Sequence, residues 1–224
     1  MSTQVELTKE QIREIIAKRA AKEFKDGDVV TLGIGLPLYA ANYVDENVEI
    51  IFQSENGLLG GGKIVEGENA DPKVINAGGA CVEQKPGCCF YDTQMSFLIM
   101  RGGHIDVTVL GALQVDEEGS LASWLIPGKF VPGIGGSMDL IVGAKKVIIA
   151  MEHTSKNQIK IVKKCTLPLT AYREVDMIIT ERAVFKVEKD GLYLTEINPQ
   201  FTLEDIKNST DASYKVSENL KNMY

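Results

Sequence analysis

The chain has 224 residues, of which 44% are hydrophobic and 25% are charged, a composition typical of a globular protein and not of a disordered one. Its 24 basic and 31 acidic residues give a net charge of −7 without a basic stripe, which argues against a nucleic-acid partner. No apolar run is long enough to span a membrane and no signal-peptide core is present, so we expect a cytoplasmic protein without membrane contact.

Helix and strand signals alternate in the first half of the chain, and hairpin signals follow. Thr8 and Gln11 form a capping box ahead of isoleucines at helical spacing, which predicts a first helix. In the first half of the chain we further predict strands at 29–32 and 48–52 with a helix at 37–43 between them, and then a glycine-rich loop at 57–62 and a strand at 73–76. A helix at 93–100, a strand at 106–110 and a hairpin turn at 116–119 follow. The second half contains a helix headed by residues 132–139, strands at 146–150 and 177–179, a hairpin at 183–197 and a helix at 203–208. Together they predict a single domain over residues 1–224 with a three-layer α/β fold and an open mixed sheet, in which ligands bind at the carboxyl ends of the strands.

Side chains that bind metals are few and scattered. The four cysteines show neither zinc-ribbon nor Cys-x-x-Cys spacing. The two histidines, His104 and His153, lie far apart in the sequence. We therefore predict no metal site.

Glu55 is the most suggestive single residue. It lies three positions beyond an apolar strand, between Ser54 and the dipeptide Asn56-Gly57, and a carboxylate at the end of a buried strand is a candidate nucleophile. Asn56 and Gly57 permit a sharp turn that presents the side chain. The pattern alone favours a polar turn with a solvated glutamate, and the nucleophile is the alternative interpretation.

Two glycine-rich segments come close to known phosphate-binding motifs. Residues 57–63 nearly match a nucleotide-binding loop, but Ile64 stands where that motif needs Ser or Thr, so nucleotide hydrolysis is a weak hypothesis. Gly33 and Gly35 follow a strand, but Leu38 replaces the third glycine of a dinucleotide fingerprint. We therefore expect no dinucleotide cofactor and assign the turn to close backbone packing.

Two further segments admit chemistry and also have structural interpretations. Successive N–H groups at Gly135 and Gly136 are able to form an oxyanion site, and a forced tight turn is an equally good interpretation. Glu152 and His153 follow a strand and admit an acid–base pair, although a structural histidine is the favoured interpretation.

Seven short motifs follow one another along the chain: LGIGLP at 32–37, QSENG at 53–57, MRGGH at 100–104, VLGALQV at 109–115, IPGK at 126–129, GGSMD at 135–139 and KCTLPLT at 164–170. In this order they resemble the β subunit of the family I (3-oxoacid) CoA-transferases, and the resemblance extends from about residue 13 to residue 216. It is greatest to subunits that act on short-chain acids such as acetate, butyrate and acetoacetate.

The resemblance implies roles for individual residues. Glu55 is the expected nucleophile, and Gly135 and Gly136 are expected in the oxyanion site. The CoA-binding positions that it implies are Gly33, Gly35, Asn56 and Gly57. Members of the family usually have Asn at the position of Thr31, and some have Lys at that of Gly79. These departures leave the detailed CoA contacts open and do not affect the assignment of the nucleophile.

The resemblance also implies substrates and a partner. It predicts a Rossmann-like CoA-transferase fold that transfers CoA between a short-chain acyl-CoA and a carboxylic acid through a covalent glutamyl-CoA thioester. CoA is a substrate, and no permanently bound cofactor is expected. An α subunit with a glycine-rich CoA-binding loop is expected beside this chain, in an α2β2 or α4β4 assembly. The alternatives are an acyl-CoA hydrolase that uses the same glutamate and a non-catalytic sugar-phosphate-binding module.

Overall fold

The computed structural model describes residues 7–129, 131, 133–156 and 158–224, so the first six residues of the predicted domain and Pro132 of the predicted helix head lie outside the described residues. The helices are α1 (Lys9–Ala21), α2 (Thr93–Arg101), α3 (Ser137–Gly143) and α4 (Leu203–Asn208), with 3-10 helices at Leu36–Tyr43 and Gly67–Asn69. The strands are β1 (Val29–Leu32), β2 (Ile51–Ser54), β3 (Leu58–Ile64), β4 (Val82–Phe90), β5 (Val107–Leu110), β6 (Gln114–Asp116), β7 (Leu121–Ala122), β8 (Val147–Ala150), β9 (Thr154–Ser155), β10 (Gln158–Ile159), β11 (Ile161–Val162), β12 (Met177–Ile179), β13 (Ala183–Glu188), β14 (Gly191–Ile197) and β15 (Tyr214–Asn222).

A mixed sheet forms the middle of the molecule. Within the described residues it has ten strands in the order β15-β14-β13-β12-β8-β5-β1-β2-β3-β4. Neighbouring strands from β12 to β2 pair in parallel, whereas β13 and β14 on one side and β3 and β4 on the other pair antiparallel. Parallel strands end at the same edge of a sheet, so the segments that follow β1, β2 and β5 meet at one edge.

Apolar side chains on both faces of the sheet produce the three layers. Because successive residues of a strand point to opposite faces, Ile148 packs into the core beneath α1 while its neighbour Ile149 packs into the core beneath α2 and α3. Ile16 of α1 belongs to the first core, and Met100 of α2 and Leu140 of α3 belong to the second. The three-layer mixed-sheet prediction is confirmed.

The helices begin where the sequence indicated. The Thr8 side chain accepts a hydrogen bond from the backbone N–H of Gln11 at 3.2 Å, and the Gln11 side chain accepts one from the backbone N–H of Thr8 at 2.8 Å. Asp92 caps α2 by accepting from the Met95 N–H at 2.8 Å. Such caps satisfy backbone donors that the first helical turn leaves unpaired.

Two predicted segments were wrong. The predicted loop at 57–62 is mostly strand β3, which pairs with β2 and β4. Within the described chain, residues 73–76 form no strand, and Ile75 makes only a single bridge to Cys81. Glycine has a low strand propensity, so the glycine-rich sequence of β3 did not predict a strand. The short run at 73–76 contains Val74 and Ile75, which favour strands, and it was therefore predicted as one.

Candidate active site

Glu55 follows directly after the last residue of β2, at the edge where the parallel strands end. Its side chain is half-buried, not fully solvated. Gln53 of β2 is buried on the face of the sheet that carries α2, and Glu55 lies two positions further along. The side chain of Glu55 therefore continues the row of β2 side chains that faces α2 and α3.

Gly136 lies against the Glu55 carboxylate. Its backbone N–H donates to Glu55 Oε2 at 3.1 Å, although 81 residues separate the two in the chain. A Cβ atom at Gly136 would lie 2.4 Å from the same oxygen, so any residue other than glycine would displace the carboxylate from this position. Gly135 is next to it with a φ of +52°, and a Cβ there would lie 3.5 Å from Glu55 Oε1. The structure thus brings together the three residues predicted to be catalytic.

Gly57 fixes the turn that carries Glu55. Its N–H donates to the Ser54 carbonyl at 3.0 Å, and its carbonyl accepts from the Tyr91 N–H at 2.9 Å. A Cβ at this residue, whose φ is +99°, would lie 2.0 Å from the Tyr91 carbonyl oxygen. The Asn56 side chain donates to the Ile75 carbonyl at 2.8 Å. These contacts hold the chain on the carboxyl side of Glu55.

A turn at residues 76–80 contacts residues 54–57, the Glu55 loop, and this contact was not predicted from the sequence. The Ala77 N–H donates to Ser54 Oγ at 2.8 Å, next to Glu55 in the chain. The turn is closed by the Asn76 side chain, which accepts from the N–H groups of Gly78 and Ala80 at 3.0 and 3.1 Å. The signal was present as Asn-Ala-Gly-Gly, a composition that favours turns.

Gly33 and Gly35 lie at the carboxyl end of β1, the strand next to β2. The Gly33 N–H donates to the Val109 carbonyl at 2.8 Å, and a Cβ at Gly33 would lie 2.9 Å from Leu110 Cδ2. Close backbone packing, predicted for this turn, is confirmed at Gly33. Gly35 has a φ of +90° and is exposed at the start of the 3-10 helix.

His153 is a structural residue, as the sequence analysis favoured. Its ring nitrogens lie 2.9 Å from Thr180 Oγ1 and 3.0 Å from Thr210 Oγ1, and the residue is fully buried. Glu152, its suggested partner, is exposed. Burial lowers the pKa of His153 to about 3, and the positive charge of Arg182 acts in the same direction.

We expect acid to destabilise the protein through His153. Unfolding returns the ring to its ordinary pKa of 6.5, so the unfolded chain binds a proton first as the pH falls below that value. Stability present above pH 6.5 is then lost towards pH 3, and the loss at pH 5.5 is about 1.4 kcal/mol. Urea unfolding at pH 7.5 and at pH 5.5 measures this difference in the free energy of unfolding. His153→Gln should reduce the difference between the two pH values by that amount, and an equal difference in both proteins would contradict the assignment.

Across the described ranges, no three His, Cys, Asp or Glu side chains are grouped closely enough to hold a metal ion. None of the helices in that part of the chain combines the length and apolar character that a membrane span requires. The cytoplasmic location stays a prediction.

Comparison with known families identifies the class of protein. The family described as coenzyme A transferase matches residues 13–209. The chain belongs to the coenzyme A transferase family. The recognition made from the sequence motifs is confirmed, and the chain is part of a CoA-transferase enzyme.

Curated CoA-transferases resemble the chain over most of its length. The acetate CoA-transferase subunit beta of Haemophilus influenzae is 51% identical over 212 residues, which cover 94% of this chain and 95% of that protein. The Escherichia coli protein of the same name is 49% identical over 209 residues, which cover 93% and 95%. The mitochondrial succinyl-CoA:3-ketoacid coenzyme A transferase 2A of Rattus norvegicus is 49% identical, and the match covers 94% of this chain but only 41% of that protein.

Solved CoA-transferase structures share the fold. The acyl-CoA transferase YdiF of Escherichia coli O157:H7 superposes with a TM-score of 0.77 and 26% identity, over 100% of this chain and 45% of that one. Glutaconate CoA-transferase from Acidaminococcus fermentans gives a TM-score of 0.72 at 19% identity, over 94% and 87%, which shows the fold alone.

Proposed function

We propose that this chain is the catalytic β subunit of a CoA-transferase that moves CoA between a short-chain acyl-CoA and a carboxylic acid such as acetate, butyrate or acetoacetate. The observation that carries the proposal is the 3.1 Å hydrogen bond from the Gly136 N–H to the Glu55 carboxylate at the end of β2. The names of the acetate CoA-transferase relatives support the short-chain substrate class.

The proposed reaction proceeds by covalent catalysis at Glu55. The carboxylate attacks the carbonyl carbon of the acyl-CoA thioester, the C–S bond breaks, and an acyl–glutamyl anhydride and the CoA thiolate result. The thiolate attacks the glutamyl carbonyl carbon, the bond between that carbon and the bridging oxygen breaks, and the donor acid leaves as its carboxylate with that oxygen. Glu55 now holds CoA as a thioester. The acceptor acid attacks this thioester, and the same two steps in reverse give the new acyl-CoA and free Glu55.

Gly136 supplies a donor where negative charge develops. Each attack on the glutamyl carbonyl places charge on a side-chain oxygen of Glu55, and the Gly136 N–H already lies 3.1 Å from one of them. A backbone donor at this distance stabilises an oxyanion by about 3 kcal/mol in other acyl-transfer enzymes. We assign Gly135 to the same oxyanion site because it borders the carboxylate.

We place the CoA-binding part of the site around the same turn. Asn56 and Gly57 follow Glu55 directly, and Gly33 and Gly35 follow β1, the strand that pairs with β2 in parallel. Ligands of α/β sheets bind outside the carboxyl ends of such strands, which supports these assignments.

We further propose that an α subunit completes the site, in an α2β2 or α4β4 assembly. Water has to be excluded because it hydrolyses the anhydride, and Glu55 is only half-buried in this chain. Apolar side chains near the site are exposed, as expected for a surface that a partner covers. They are Val131, Met138 and Val142 near and on α3, and Met95 and Leu98 on α2. The subunit beta in the names of the bacterial relatives supports such a partner.

The proposal predicts a covalent CoA adduct on Glu55. The assembled enzyme is incubated with acetoacetyl-CoA without an acceptor acid, digested, and the peptide containing Glu55 is weighed by mass spectrometry. We expect a mass increase equal to CoA less one water, and loss of that increase after acetate is added. Rapid release of free CoA without an acceptor would instead identify a hydrolase, and the absence of any adduct would overturn the proposal.

A further inference from the structure

Beneath the Glu55 loop, a row of polar side chains crosses three adjacent strands of the sheet. Thr108, Thr31 and Gln53 are register partners on β5, β1 and β2, and each is at most 2% exposed. They share the face that carries α2, because Gln53 bonds to Ser96 of that helix. Buried polar side chains are costly in an apolar sheet, so a row of them calls for a reason.

Gln53 is the centre of this row. The Thr31 hydroxyl donates to Gln53 Oε1 at 2.7 Å, and Gln53 Nε2 donates to Ser96 Oγ at 3.0 Å. One amide therefore joins β1, β2 and α2.

Both bonds connect to the surroundings of Glu55. Gln53 lies in β2, two residues before Glu55, which follows the last residue of that strand. Ser96 is followed by Phe97, whose ring would lie 3.4 Å from a Cβ on Gly136, the residue that donates to the carboxylate. The Gln53 amide thus ties the strand that precedes Glu55 to the helix that packs beside Gly136.

We propose that Gln53 is a positioning residue for catalysis, which holds the Glu55 carboxylate in register with the Gly136 N–H through its buried bonds to Thr31 and Ser96. This proposal rests on Glu55 being the nucleophile. Misplacement of a reacting group by 1 Å costs about 10²-fold in rate, so loss of the amide has a kinetic effect beyond its effect on stability.

The test compares Gln53→Met, which keeps the length and removes the hydrogen bonds, with Phe185→Leu, which creates a void in the core beneath α2 and α3. Phe185 is on β13, and four strands lie between β13 and β2 in the sheet. The measurement is the rate of adduct formation on Glu55 per folded assembled enzyme, together with kcat and KM. We expect Gln53→Met to slow adduct formation and kcat by about 10²-fold with KM for acyl-CoA nearly unchanged. Phe185→Leu should lose stability and keep the wild-type rate.

A second pair keeps the test informative if Gln53→Met does not fold. Thr31→Val removes the hydroxyl and keeps the shape, and Thr31→Ser keeps the hydroxyl. We expect about a tenfold slower adduct rate in the first and a rate within about twofold of wild type in the second. A wild-type adduct rate in folded Gln53→Met, or in Thr31→Val if Gln53→Met does not fold, overturns the positioning role alone. Absence of an adduct in the wild-type enzyme overturns the proposed function instead.

Discussion

Glu55→Gln is expected to lower kcat for CoA transfer by at least about 10⁴-fold, the scale seen when a covalent nucleophile is removed from other enzymes. An amide has nearly the same size as a carboxylate but is not a nucleophile. Its oxygen is still able to accept from the Gly136 N–H, which now lies 3.1 Å from Glu55 Oε2. The fold and the hydrogen bond are therefore expected to survive while the chemistry is lost.

Steady-state transfer assays on the assembled enzyme measure this loss. Glu49→Gln makes the same chemical change at an exposed position shortly before β2 and serves as the matched control. Melting temperature and assembly with the partner are compared in parallel. Turnover close to that of wild type in Glu55→Gln would exclude the glutamyl intermediate, because no other group in the proposed mechanism is able to carry CoA.

Gly136→Ala is expected to lower kcat by about 10²–10³-fold, the cost of losing one oxyanion donor. The backbone at Gly136 has φ −84° and ψ 10°, which alanine adopts without strain. The added methyl meets Glu55 Oε2 at 2.4 Å and has to displace it. The effect should therefore appear in the rate and hardly in the melting temperature.

Gly191→Ala is the control for this substitution. It adds the same methyl in the hairpin of β13 and β14, at the opposite edge of the sheet, where no atom lies within 4 Å of the new Cβ. Its φ of +127° makes alanine costly to stability there, so the two rates are compared per folded enzyme. We expect that variant to transfer CoA at nearly the wild-type rate. Equal losses in the two variants, or wild-type adduct formation on Glu55 in Gly136→Ala, would refute the role assigned to the Gly136 N–H.

Elements with local signals could be predicted from the sequence. The strand at 29–32 has the same bounds as β1, and the helix at 93–100 differs from α2 by one residue, because an apolar run and an Asp92 cap mark them. The hairpin at 183–197 is also confirmed as β13 and β14, which are joined by a turn at Lys189 and Asp190. In each case, local chemistry and tertiary packing favour the same structure.

Edge strands and glycine-rich strands escaped prediction. β4 contains Pro86 and is largely exposed, and β15 is mostly exposed along its length, so neither shows the alternation of a half-buried strand. β3 contains Gly60, whose φ is +79° and where a Cβ would lie 3.2 Å from the Cα of Cys88 on β4. The left-handed backbone and the close approach of β4 in the folded state explain this glycine, and the sequence alone shows neither.

The site was predictable in part. Glu55 stood out as a carboxylate beyond a strand, but its contact with Gly136 joins residues 81 positions apart and was inferred only from the family resemblance. Gln53 was missed because a single polar residue at the end of an apolar strand resembles a strand terminus. Only the folded structure shows that it is 2% exposed and bonded on two sides.

The alternation of faces along β2 restricts how this enzyme can change during evolution. Because neighbouring residues point to opposite layers, inserting or deleting one residue within the strand would turn the Glu55 carboxylate towards α1 and away from Gly136. A change of two residues preserves the parity and the direction of the side chain. Length variation among functional homologues should therefore accumulate in the segment before Ile51, where it leaves the orientation of the nucleophile untouched.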